Sequence, residues 1–119
     1  MSSLKKTFRH AFHGLGLFIT SESNNRMHLF LSLLAIGGGF FFRITSYEWI
    51  SILLCIGLVF SAEAFNTALE RMLDAADSQP NSQIKRSKDI AAAAVLIAAI
   101  TALAVALVIF LPRILAMVL

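Results

Sequence analysis

Apolar residues run almost without interruption through three segments, 27–42, 49–69 and 90–111, and the polar residues collect between them. Each run is close to the roughly 20 residues that carry a helix across a hydrocarbon layer about 30 Å thick. The first is short and interrupted by glycine, and it reaches spanning length when extended to 25–44. Ahead of it, Leu4, Phe8, Phe12, Leu15 and Ile19 recur at helical spacing on one side of residues 4–19, with Lys5, Lys6, Arg9 and His13 largely opposite. That pattern predicts an amphipathic helix lying in the membrane interface. Residues 21–25 (Ser-Glu-Ser-Asn-Asn) then break the apolar pattern and hold Glu22 at the boundary where the surface helix turns into the first span. Residues 43–48 make a very short loop, with Tyr47 and Trp49 where interfacial aromatics are favoured. Residues 75–87, rich in Asp, Ser, Gln, Asn and Pro, read as a longer polar turn. The expectation is an all-α membrane protein: an N-terminal surface helix plus three transmembrane helices in one integral-membrane domain over 1–119.

One stripe violates the apolar rule inside the second span. Glu63, Asn66, Thr67, Glu70 and Asp74 fall at i, i+3, i+4, i+7 and i+11, which places them on one face of a helix turning about 100° per residue. At about 1.5 Å per residue Glu63 lies about 21 Å from Trp49, still inside the hydrocarbon layer. An acid at that depth costs about 2.5 to 3.5 kcal/mol even on permissive insertion scales, so Glu63 marks a functional site by default.

Composition narrows the class further. Of 119 residues, 58% are hydrophobic and 14% charged, and the mean hydropathy of +0.79 lies well above that of a soluble domain. The amino terminus lacks the compact apolar core and small-residue cleavage site of a signal peptide. With that terminus in the cytoplasm, Lys5, Lys6, Arg9, Arg26, Arg71, Lys85, Arg86 and Lys88 are inside and only Arg43 and Arg113 outside, a split of eight to two in favour of this orientation. The net charge of +3 is therefore a topology signal and an attraction to anionic headgroups; no basic face with interleaved aromatics suggests nucleic acid. Cys55 lies in the second span and packs there. The glycines at 37–39 sit in mid-membrane with no following Lys and Ser or Thr, which suits close helix packing rather than a phosphate cradle. His10, His13 and His28 lack metal-ligand spacing.

At the inner border the acids change meaning. Glu22, Glu70, Asp74 and Asp89 are hard oxygen ligands at a common depth, the set that holds Mg²⁺ through one or two carboxylates while nucleotide phosphates fill other positions. Lys88, with Lys85 and Arg86 behind it, balances the phosphates. Glu63, about 10 Å deeper by helical rise, is placed to take a proton from an alcohol carried at headgroup depth. These parts suffice for phosphoryl transfer from a nucleotide to a lipid hydroxyl. A structural alternative makes Asn66 and Thr67 interhelical hydrogen-bond groups and pairs the acids with Arg26, Arg71 or Lys88, but it leaves Glu63 without an obvious cation. Another class, a small proton-coupled multidrug exporter, would use Glu63 as its proton carrier; it predicts a lone intramembrane acid, whereas this stripe continues toward Lys88 and Asp89.

The runs Glu-Ala-Phe-Asn-Thr-Ala-Leu-Glu-Arg-Met-Leu-Asp (63–74), Lys-Asp-Ile-Ala-Ala-Ala-Ala-Val-Leu (88–96) and Glu-Ser-Asn-Asn-Arg (22–26) resemble those of the bacterial diacylglycerol kinase family, which includes the undecaprenol kinases. The resemblance extends over almost the whole chain. It implies a homotrimer in the bacterial inner membrane, with sites built partly from neighbouring subunits. It further implies Glu63 as general base, Glu22 and Glu70 as Mg²⁺ ligands that also bind ATP, and Asn66, Lys88 and Asp89 as supports of the nucleotide. The acceptor would be diacylglycerol or undecaprenol, with Arg26 and Glu63 facing the lipid. His10 and His13 stand where diacylglycerol-specific members carry Tyr and Lys, and Tyr47-Glu48-Trp49 looks more like the undecaprenol kinase branch.

Overall fold

A computed structural model of the chain describes residues 2–21, 24–76 and 81–119. Four helices make it up: α1 (Ser2–Ser21), α2 (Asn24–Phe42), α3 (Ser46–Ala76) and α4 (Ser82–Val118). Both α3 and α4 are long and apolar enough to cross a membrane, at 31 and 37 residues. The apolar part of α2, Arg26–Phe42, is shorter, and its 17 residues rise only about 26 Å. The continuous apolar runs leave these helices with apolar surface facing outward: Phe30, Leu34, Phe40, Leu54, Phe65 and Val108 are among many large apolar residues left exposed, while among the described residues the buried polar ones are Glu63 and Thr67.

Helix ends differ from the expected loops for local reasons. The 43–48 loop contracts to a turn because Thr45 and Glu48 form a reciprocal capping box: Glu48 N–H donates to Thr45 Oγ1 (3.3 Å) and Thr45 N–H donates to Glu48 Oε1 (2.9 Å). On its other side α2 closes with Arg43 in the left-handed region (φ 53°), and the Ile44 N–H reaches back to the Gly39 carbonyl (3.2 Å). This is a Schellman closure with a non-glycine residue at the left-handed position. The 75–87 loop also shrinks, since α3 continues to Ala76 and α4 already starts at Ser82. Asn81 caps α4, its Oδ1 accepting from the N–H groups of Gln83 (2.8 Å) and Ile84 (3.4 Å), and the polar residues that resembled a loop form the helix's first turns.

α3 packs mainly along α4, with α2 against both. The tightest apolar cluster, Ile44, Ile52 and Ile109 with Trp49, Phe42 and Phe110 around it, sits near the α2–α3 turn. Gly39 permits that closeness: a Cβ there would lie 2.6 Å from the Trp49 ring. At the same end Arg113 of α4 grips Glu48 through two bonds, Nη2 to Oε1 (2.7 Å) and Nη1 to Oε2 (2.8 Å), tying the ends of α3 and α4 together. The polar stripe lies toward the opposite end.

Candidate functional site

Glu63 sits on α3 where its apolar face meets α2, and it is only 5% exposed. Its stripe continues as expected for a helix. Thr67, one turn on, is buried; Asn66 Nδ2 donates to Glu70 Oε1 (3.3 Å); and Asp74 ends the row. Asp74 pairs with Lys88 of α4, which sets the α4 cation at the level of the last acids of α3. Asp89, in contrast, turns to the exposed side and pairs with Lys85 one turn back (2.9 Å). That carboxylate holds the Lys85 ammonium above the usual lysine range, through its hydrogen bond first and its charge second, ahead of the apolar stretch that begins at Ile90. Arg26 lies exposed in the first turns of α2. Glu22 falls outside the described residues.

The structure therefore brings Asn66 and Glu70 together, aligns both below Glu63, and joins Asp74 to Lys88 across two helices. It does not bring Asp89 to that row: its contact is with Lys85. The pairing of Asp74 with Lys88 agrees with the structural alternative for those two residues. Glu63 does not agree with it as stated, because it has a neighbour that sequence reasoning set aside. Nε2 of His28 lies 3.4 Å from Glu63 Oε2. A depth count was the available signal. Measured from the α2–α3 turn, His28 lies 14 residues back from Phe42 and Glu63 lies 17 residues on from Ser46, about 21 and 26 Å by helical rise, so antiparallel helices bring the two within about one turn of each other.

Among the described residues no three His, Cys, Asp or Glu side chains gather to hold a metal. Two oxygens of the row nevertheless suit one. Glu70 offers a carboxylate, and the neighbouring Asn66 Oδ1 is buried without a hydrogen-bond partner among the described residues. A buried acceptor left unpaired costs about 1 to 3 kcal/mol, an expense that a donor or cation from a ligand removes. Hard oxygens of this kind fit Mg²⁺, which takes one or two protein carboxylates beside substrate phosphates.

Above the row, an apolar groove of about 590 Å³ runs between α2, α3 and α4, walled by Leu31, Ala35, Cys55, Ile56, Ala102 and Phe110. His28 and Met27 form one end of it. Buried acid, oxygen row and apolar groove thus adjoin, an arrangement that can present a hydrocarbon-borne group to a base next to a charged ligand site.

The family model for prokaryotic diacylglycerol kinases matches residues 9–110. The undecaprenol kinase of Bacillus subtilis is 34% identical over 108 residues, covering 91% of this chain and 88% of that protein. The diacylglycerol kinase of Synechocystis sp. is 32% identical over 116 residues, covering 97% of this chain and 66% of that protein. A match that takes in nearly all of the four-helix region, including every residue of the stripe, shows that the chain belongs to the prokaryotic diacylglycerol kinase family and is a lipid kinase.

Proposed function

We propose that the protein is an ATP- and Mg²⁺-dependent kinase of a membrane-embedded lipid alcohol, diacylglycerol or undecaprenol, with Glu63 as its general base. The burial of Glu63 between apolar helices, about one turn above Asn66 and two above Glu70, carries this reading. As the acceptor oxygen bonds to the γ-phosphorus and the bond from phosphorus to the ADP oxygen breaks, Glu63 receives the hydroxyl proton. Glu70 and Glu22 would hold Mg²⁺, which supplies charge neutralisation on the phosphates. Asn66 and Lys88 orient the nucleotide, and Asp89 fixes the Lys85 end of that cationic cluster. Arg26, exposed at the start of α2, meets the lipid headgroup.

Three spans with the amino terminus in the cytoplasm, and α1 lying on the inner face of the inner membrane, are the arrangement that the cation distribution favours. α2 completes the third crossing by tilting little or by thinning the bilayer locally. A homotrimer gives the exposed apolar faces partners and completes the nucleotide site. The exporter alternative finds no support, since both relatives are kinases by name.

Purified protein in lipid vesicles, given labelled ATP with diacylglycerol and undecaprenol in parallel, tests the proposal. One of the two lipids acquires label, and chelation of Mg²⁺ stops it. If neither lipid is labelled while a proton gradient drives cation uptake, the kinase reading is wrong.

A further inference from the structure

His28 has no part in the reading above, yet its imidazole is the side chain against Glu63. The two groups meet across the α2–α3 interface, Nε2 to Oε2 at 3.4 Å, and both are largely shielded. Among the described residues no other side chain is hydrogen-bonded or ion-paired to Glu63. The ring is itself held in place. It lies edge-on to Phe60, one turn before Glu63 on α3, with centroids 6.3 Å apart at 74°, and Phe60 packs in the same way against Phe18 of α1 at 6.4 Å and 87°. At 3.4 Å the contact is longer than a formed N–H···O bond, as catalytic hydrogen bonds often are before substrate arrives.

The same imidazole ends the apolar groove between α2, α3 and α4. An alcohol delivered along that groove reaches His28, and the Glu63 carboxylate lies 3.4 Å from that ring. A carboxylate in an apolar interface that lacks a fixed donor spreads over several rotamers, and a misplacement of about 1 Å in a catalytic group costs about 100-fold in rate. A donor on one oxygen removes that freedom and leaves the other oxygen for the substrate.

We infer that His28 is a positioning residue for Glu63: its Nε2–H engages Oε2 and holds the carboxylate with Oε1 turned to the lipid hydroxyl. The inference rests on Glu63 being the base. During transfer the hydroxyl proton passes to Oε1, the phosphorus bond to ADP breaks, and the imidazole keeps its own proton throughout. His28 contributes orientation and does not transfer a proton.

The test compares wild type, His28→Leu, His28→Asn, His28→Gln and Glu63→Gln in vesicles, reading kcat, KM for ATP, KM for the lipid that wild type phosphorylates, and thermal unfolding. Leu removes the donor and Asn withdraws it beyond reach, so both lower kcat about 10- to 100-fold with KM for ATP within about twofold. Gln returns an N–H at similar reach and restores kcat to within about threefold of wild type. A structural role would instead move unfolding and both KM values and would show no rescue by Gln. Wild-type kcat in His28→Leu or His28→Asn, or failure of a folded His28→Gln to recover, overturns the inference. An active Glu63→Gln sinks the base assignment itself, whereas an inactive Glu63→Gln beside fully active His28 variants sinks the positioning role alone.

Discussion

Single side chains separate the roles along the stripe of α3. Glu70 and Asn66 share a hydrogen bond and leave the buried Asn66 Oδ1 unpaired, the oxygen that the proposed function gives to the ligand site. Glu70→Gln keeps the size and the bond to Asn66 but loses the charge. It is expected to raise the Mg²⁺ concentration for half-maximal activity, and KM for ATP, by about tenfold or more, measured as initial rates over a metal titration. Lys88→Met removes the partner of Asp74 and, on the proposed function, a charge for the phosphates, so it should raise KM for ATP more than it changes KM for the lipid. The stripe was legible because five polar positions at helical spacing cannot hide in an apolar run. His28 was not legible by that route: a lone histidine on an apolar face has meaning only through a residue on another helix, and the sequence shows periodicity within helices rather than contacts between them.

Helix boundaries record another balance. Composition marked residues 75–87 as loop, yet Asn81 captures two N–H groups and Lys85 pairs with Asp89 at i,i+4, so polar residues begin α4 early. Local capping overrides a composition rule, and Asn81→Ala should lower stability by about 1 kcal/mol, read as a lower unfolding temperature in detergent. At the other end Gly39 and Trp49 fit only because one lacks a Cβ. Gly39→Ala forces that packing apart at a cost of about 1 to 3 kcal/mol, and a smaller ring in Trp49→Phe should return part of the loss. Arg43 sits at a left-handed position where a side chain costs about 1 kcal/mol, so Arg43→Gly should raise the unfolding temperature. The glycine run at 37–39 was read from sequence as a packing device; Gly38 against Phe110 and Gly39 against Trp49 fit that reading, whereas a Cβ at Gly37 would meet nothing within 4 Å.

Across the described residues, large apolar side chains cover much of the surface while Glu63 and Thr67 are buried. The chain extends 56 × 42 × 21 Å with a radius of gyration of 17.8 Å, against roughly 13.5 Å for a compact soluble chain of this length. That flat, oily surface needs lipid or sister subunits around it, and light scattering in mild detergent is expected to give the mass of three chains. Fold class was legible from mean hydropathy and three apolar runs; assembly was not, because nothing within one chain says which apolar face meets lipid. The central claim concerns a buried carboxylate acting as base beside a nucleotide. Its most direct measurement is single-turnover transfer from labelled ATP to lipid in Glu63→Gln, with ATP binding measured on the same vesicles. The account predicts ATP affinity within about twofold of wild type and a transfer rate lower by about 100- to 10,000-fold, the span expected for a lost general base. A folded Glu63→Gln that binds ATP and transfers phosphate at the wild-type rate would contradict it.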